Sequence, residues 1–339
     1  MRSLETLRPT EALEMENGLT LVPRVRLTLT VYPLSPSITK PIDEWKLKFA
    51  LLHFLKSSLS VSVLVPEEDL HITRSKDLKK RKREDPVARG TLFVRDLGFL
   101  NTKRKTDDIV EEDNHVENKV VEWRKYLVDK MCGIELNLEG LKFRLTVAVP
   151  IADDFEGLRK DWEEFYAFRN RGHSKSGRRE PDTIIMRGVP SRWFAEPRVS
   201  SNPSMLVTHT IFSCFGKIRN LSVTKDDDLG EEADKDGADI VSGLHCKIVV
   251  QFEKYVDFYN ALKVLCGRSL EKQGSRLRSD YEVTWDKDGF FRNSINQTQE
   301  KNSRMLEMVT GGYRSEAPRR EPQSSQFKSD DTPRKRFKD

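Results

Sequence analysis

Apolar and polar residues alternate with a period of two through "RVRLTLTVYP" (24–33), where Val25, Leu27, Leu29 and Val31 fall on one side. That pattern predicts a strand with one buried face. Asp43 then offers a helix cap. After it, Trp45, Phe49, Leu52 and Leu55 recur at helical spacing in "EWKLKFALLHFLKSS" and are the expected buried stripe. Short strand-like runs follow, "SVSVLV" and "LHIT", and then "GTLFVRDL" (90–97). The spacing of Val120, Trp123, Leu127 and Met131 predicts a helix over 118–131, ended by Gly133, and "LKFRLTVAVP" (141–150) alternates again. The order is strand, helix, strand, strand, helix, strand.

The second half repeats that order. "DTIIMRGVP" reads as a strand. "NPSMLVTHTIFSCFG" reads as a helix with Asn202 as cap, Pro203 in its first turn and Gly216 at its close. "KIRNLSVTK" and "GLHCKIVVQF" (243–252) read as strands flanking an acidic loop. "YVDFYNALKVLCG" is helical, and "DYEVTWD" (280–286) is a last strand. The predicted class is therefore α+β: two tandem ferredoxin-like (RRM-like) β-α-β-β-α-β domains with a disordered basic C-terminal tail. The expected divisions are a flexible N-terminus (1–20), a first domain with a basic loop insertion (21–150), a helix and basic linker (151–181), a second domain (182–290) and the tail (291–339). In the linker, Trp162, Phe165 and Phe168 mark a short helix. In each domain the helices would cover one sheet face and leave the other open.

Charged residues make up 33% of the 339 residues and apolar ones 37%, so part of the chain is expected to stay unpacked. The formal charge is only +5, but the cations are clumped. Cys132, Cys214, Cys246 and Cys266 form no CxxC pair and read as small, mostly buried side chains in a reducing compartment. No apolar run reaches the roughly 18 residues that cross a bilayer, and the N-terminus has no apolar signal core. The six histidines pair with no cysteine or carboxylate at a ligand spacing. "DKDG" occurs at Asp234 and Asp286, but neither run reaches a Glu at the twelfth position of a calcium loop. No cofactor and no catalysis are expected.

The second unit can be set against the RNA-recognition motif, which stacks bases on aromatics of its central strands. Its first-strand signature falls on residues 184–189, with Ile185 in the aromatic place. Its third-strand signature falls on 245–252, with Lys247 and Val249 in the outward places; only Phe252 keeps the expected type. Stacking contributes about 1–3 kcal/mol per base, so two missing rings remove about 2–6 kcal/mol. RNA contact would then be mainly electrostatic, from Arg187, Lys247 and the linker pair Arg178 and Arg179, with Ile185 and Val249 nominated as further contacts. Trp193 and Phe194 follow the first strand, either as core capping the sheet edge or as an exposed anchor. Arg268-Ser269-Leu270, before the last strand, reads as a turn, with peptide binding as a minor alternative.

"EPDTIIMRGVPSRWFA" followed by "IFSCFGKIRNLSV" resembles the A-kinase anchor protein 17A-like family of SR-related splicing factors, and the resemblance extends more weakly to "ENGLTLVPRVRLTLTVYPL". It implies a nuclear-speckle protein that acts in pre-mRNA splicing, with pre-mRNA and splicing-factor proteins as partners. The family's long Arg/Ser-rich C-terminal region with its kinase-anchoring helices is reduced here to a short tail, so binding of the protein kinase A regulatory subunit is not an expectation. Two basic runs, Lys79-Lys80-Arg81-Lys82-Arg83 and Arg334-Lys335-Arg336, read as nuclear-import signals for importin, with RNA phosphate contact or a plain solvated loop as the alternatives for the first. The competing class is a protein-interaction scaffold whose folds bind peptides.

Overall fold

Asn17 and Gly18 both take left-handed backbone angles, φ 62° and 63°. Two such residues in succession suit an Asn-Gly pair, and the turn folds β1 (Leu13–Met15) onto β2 (Leu19–Pro23). The computed structural model of the chain describes residues 4, 7–34, 42–58, 65–75, 85–101, 109–169, 180–199, 201–226, 244–275 and 277–292. Leu19 and Leu21 are fully buried. The expectation of a flexible segment through residue 20 is thus corrected: from residue 13 the chain is paired sheet.

The alternating run becomes β3 (Val25–Pro33). After it come α1 (Glu44–Ser58), β4 (Leu70–Arg74), β5 (Ala88–Val94), α2 (Ile109–Met131), β6 (Glu135–Leu138) and β7 (Leu141–Ala148). The strands form an antiparallel sheet ordered β4-β5-β3-β7-β6. Asp43 Oδ1 accepts the Trp45 and Lys46 N–H groups at 3.0 and 3.3 Å, so it caps α1 as the sequence predicts. The buried stripe of α1 differs from the expected one. Leu47, Leu51 and Leu55 pack on the sheet, while Trp45 and Phe49 are 64% and 67% exposed. The helix carries two apolar ladders at the same spacing, and periodicity cannot choose between them. Gly133, at φ +84°, ends α2 as expected.

The second half supplies α3 (Phe155–Arg169), β8 (Thr183–Pro190), α4 (Met205–Phe212), β9 (Ile218–Lys225), β10 (His245–Phe252), α5 (Tyr255–Leu265), β11 (Arg268–Lys272), β12 (Arg278–Ser279) and β13 (Glu282–Trp285). Four of the strands form an antiparallel sheet ordered β13-β8-β10-β9. The other two join the N-terminal hairpin in a third sheet, β1-β2-β11-β12. α4 starts at Met205, after Ser204, so neither Asn202 nor Pro203 occupies the expected place. Arg268-Ser269-Leu270 is not a turn: it opens β11, and all three residues are at most 4% exposed.

The linker helix α3 belongs to a core. Trp162 is 2% exposed and meets Phe155, Phe258 and Tyr259 edge to face, and Asp161 Oδ2 accepts the Trp285 Nε1–H at 3.0 Å. Phe168, by contrast, is 68% exposed. Helices α4 and α5 pack on the same face of the four-stranded sheet, over Ile184, Met186, Ile248 and Val250.

Residues 1–288 form one compact unit and 289–339 another, of which only 289–292 are described. Inside the first unit, buried ions join segments within or flanking strands of different sheets. Arg24 bonds Asp153 at 3.1 Å and Asp280 at 2.5 Å. Arg26 bonds the other oxygen of Asp153, and Arg95 bridges Asp69 at 2.7 Å and Asp280 at 3.0 Å. Burial disfavours the charge on Asp280. Hydrogen bonds from Arg95 and Ser269 and the charge of Arg24 outweigh it and hold the carboxyl at about 2.

Candidate nucleic-acid interface

The candidate surface is the face of the β13-β8-β10-β9 sheet that the helices leave uncovered. Its composition follows from strand alternation. In β8, Ile184, Met186 and Val189 point into the core, which leaves Ile185 and Arg187 outward. In β10, Cys246, Ile248, Val250 and Phe252 point inward, leaving Lys247, Val249 and Gln251 outward. Register brings them together: Val249 faces Ile185 on one side and Ser222 on the other, and Ile185 faces Thr284.

A bulge places the two cations. The pairing of β8 with β10 shifts between Cys246 and Ile248, so that Arg187 and Gly188 together oppose Lys247. Gly188 takes φ +79°, a conformation that suits glycine. Its N–H donates to Oδ2 of the buried Asp226 at 3.3 Å. Arg187 and Lys247 therefore lie on adjacent strands at one point of the outer face. Farther along, Gln251 Nε2 donates to Asp182 at 2.8 Å and Gln251 Oε1 accepts from Asn220 Nδ2 at 2.6 Å, which makes that end an amide network. No aromatic stands on the outward positions of β8 and β10.

The nominated residues divide. Ile185, Arg187 and Lys247 are partly buried on the outer face. Val249 shares that face but is 1% exposed and offers no surface to a ligand, so its nomination as a contact is corrected. Phe194 is 1% exposed and lies over Phe212, 6.4 Å between ring centroids: it is core and not an anchor. Trp193 is partly buried against the same core, and its carbonyl accepts from Asn17 Nδ2 at 3.0 Å. Arg178, Arg179, Lys79, Lys80, Arg81, Lys82, Arg83, Arg334, Lys335 and Arg336 lie outside the described residues.

The sequence reading missed the flank of this face. A groove of about 520 Å³ separates the 150–152 turn from β8 and β13, with Ile151, Ile185, Arg187, Glu282 and Thr284 among its lining. Glu282 is the direct cross-strand partner of Arg187. Elsewhere, Cys246 and Cys214 are pushed up by burial to about 12 and about 11, which makes them poor nucleophiles. Among the described residues no group of three or more His, Cys, Asp or Glu could hold a metal ion, and no helix is long and apolar enough to cross a membrane.

An α+β fold of antiparallel sheets and helices, with a ring-free, cation-bearing sheet face, defines a binding module. A family model described as "AKAP-17A-like, RNA-binding domain" matches residues 115–326, well over half of the chain, and the chain belongs to that family. Human A-kinase anchor protein 17A is 28% identical over 207 residues, which cover 58% of this chain and 29% of that protein. The chain thus spans less than a third of that relative's length. The family is a non-catalytic, RNA-binding one, in keeping with the expectation that the chain is not an enzyme.

Proposed function

We propose that the chain is a nuclear RNA-binding adaptor in the regulation of pre-mRNA splicing, built on two RRM-like domains of ferredoxin-like topology. The strand order β13-β8-β10-β9, with helices after β8 and β10, supports that topology for the second domain, and β4-β5-β3-β7 supports it for the first. RNA contact is electrostatic and weak. The observation that carries the reading is the β8 bulge, which sets Arg187 beside Lys247 on a sheet face without a stacking ring. The runs 79–83 and 334–336 act as import signals read by importin, the protein resides in nuclear speckles, and splicing factors are its protein partners. The test is RNA binding by fluorescence anisotropy across a salt series. Each phosphate neutralised on a single strand adds about 0.7 to the slope of log K against log salt. The double variant Arg187→Gln/Lys247→Gln is expected to lose about 1.4 of that slope; an unchanged slope refutes the assignment.

A second reading has its own observation. Trp45 and Phe49 stand one helical turn apart on α1, both more than 60% exposed, and exposed aromatic pairs of this kind mark protein contacts. On that reading the chain is a scaffold that binds peptides, kinase anchoring included. RNA binding unaffected by sheet variants, together with partner capture lost in Trp45→Ala/Phe49→Ala, would favour it.

A further inference from the structure

Ile151 is 76% exposed. An exposed isoleucine is ordinary on its own, but this one is held rigidly. It opens a short 3-10 turn, Ile151–Asp153, in which the Asp153 N–H donates to Pro150 O at 3.0 Å and the Asp154 N–H to Ile151 O at 3.1 Å. The Cys266 thiol reaches Ala152 O at 3.4 Å. Asp153 is 6% exposed and is gripped by Arg24 and Arg26, while Arg124 Nη1 donates to its carbonyl at 3.0 Å. The buried ion cluster thus fixes a turn from which the Ile151 side chain stands out beside the outer sheet face.

Across the groove, Ile185 and Thr284 form a low-polarity floor, and Arg187 and Glu282 stand opposite each other on β8 and β13. Glu282 is two-thirds exposed, and its Oε1 accepts from Arg26 Nη1 at 3.5 Å. An apolar wall, a floor of low polarity, a cation and a carboxylate acceptor together match a nucleotide: a flat base for the wall, a phosphate for Arg187, an exocyclic amino group for Glu282. A purely aliphatic peptide side chain would use neither charged group.

We infer that the groove between Ile151 and β13 takes one base of a single-stranded RNA, preferring amino-bearing adenine or cytosine over uracil. This rests on the RNA-binding reading above and specifies where the strand turns off the sheet. Ile151 supplies the apolar contact that the missing rings would have given, from outside the second β-α-β-β-α-β unit.

The test uses the full chain and fluorescein-labelled oligo(A), oligo(C) and oligo(U) of equal length at low salt. Ile151→Ala and Ile151→Phe change no charge and lie on the surface, and circular dichroism checks that both stay folded. Oligo(C) or oligo(A) is expected to bind more tightly than oligo(U). Ile151→Ala is expected to weaken binding about three- to fivefold, and Ile151→Phe to tighten it about fivefold or more, since a ring can stack. Glu282→Gln should reduce the preference against oligo(U). If both Ile151 variants bind as the wild type does while Arg187→Gln weakens binding, the groove inference falls and the sheet-face reading stands. A groove filled by a protein segment would give that same silence toward RNA. If the wild-type chain binds none of the three oligonucleotides, the RNA reading itself fails.

Discussion

Asp280→Asn removes one negative charge while keeping size and most hydrogen-bonding shape, and it probes the ion cluster that joins the sheets. The carboxylate takes Arg24 Nη1 at 2.5 Å, Arg95 Nη2 at 3.0 Å and the Ser269 hydroxyl at 2.5 Å. Its side chain is 24% exposed, and those of Arg24 and Arg95 are 1% and 13% exposed, so solvent screens the pairs little. Holding the carboxyl at about 2 against an ordinary 3.8 corresponds to about 2 kcal/mol. Losing one partner of a buried pair costs about 3–5 kcal/mol, but Arg24 keeps Asp153 and Arg95 keeps Asp69. The expected loss is therefore about 2–4 kcal/mol. Because the folded-state value is depressed, this stability is present above the unfolded value and is lost as pH falls through the folded one. The wild type's advantage should be full at pH 7 and about half gone by pH 3. Urea denaturation followed by tryptophan fluorescence and circular dichroism measures both. A difference under about 0.5 kcal/mol at pH 7, or one that does not shrink on acidification, would refute the reasoning.

Other substitutions probe the same packing. Trp162→Ala is expected to cost about 3–5 kcal/mol in urea denaturation, because α3 is core and not tether; a loss under 1 kcal/mol would contradict its burial. Gly18→Ala forces a Cβ into φ +63° and should cost about 1–2 kcal/mol by the same assay, whereas a neutral result would mean that the hairpin turn adapts. Trp45→Ala and Phe49→Ala should leave stability within about 0.5 kcal/mol, since both side chains face water. The buried Cys246 thiol should resist alkylation in the folded protein at pH 8 and react only on denaturation.

Much of the fold was legible in the chain. The alternation of Val25, Leu27, Leu29 and Val31, the cap at Asp43 and the stop at Gly133 each lead directly to what is observed, because each rests on local geometry. What the sequence did not yield was long-range. Leu19–Pro23 finds its second sheet partner, Arg268–Lys272, some 250 residues later, and no periodicity reports a partner. The Asn17-Gly18 pair was a hairpin signal in plain view. Trp45 and Phe49 were misplaced because α1 carries two apolar stripes and only the tertiary sheet selects one. At the candidate site, alternation put Ile185, Arg187 and Lys247 on the outward face. Val249 follows the same alternation, yet its burial depends on neighbours that pattern alone cannot supply. The groove residues Ile151 and Glu282 lie 131 positions apart in sequence and meet only through the fold of the ion cluster.

On the proposed reading, RNA lies on the outer face of the four-stranded sheet. Ultraviolet crosslinking of the full chain to single-stranded RNA, with the attached peptides sequenced by mass spectrometry, tests it most directly. Adducts on the peptides spanning 183–190 and 245–252 are the expected result; adducts confined to the α1 surface around Trp45 and Phe49, with none on those two strands, would contradict it.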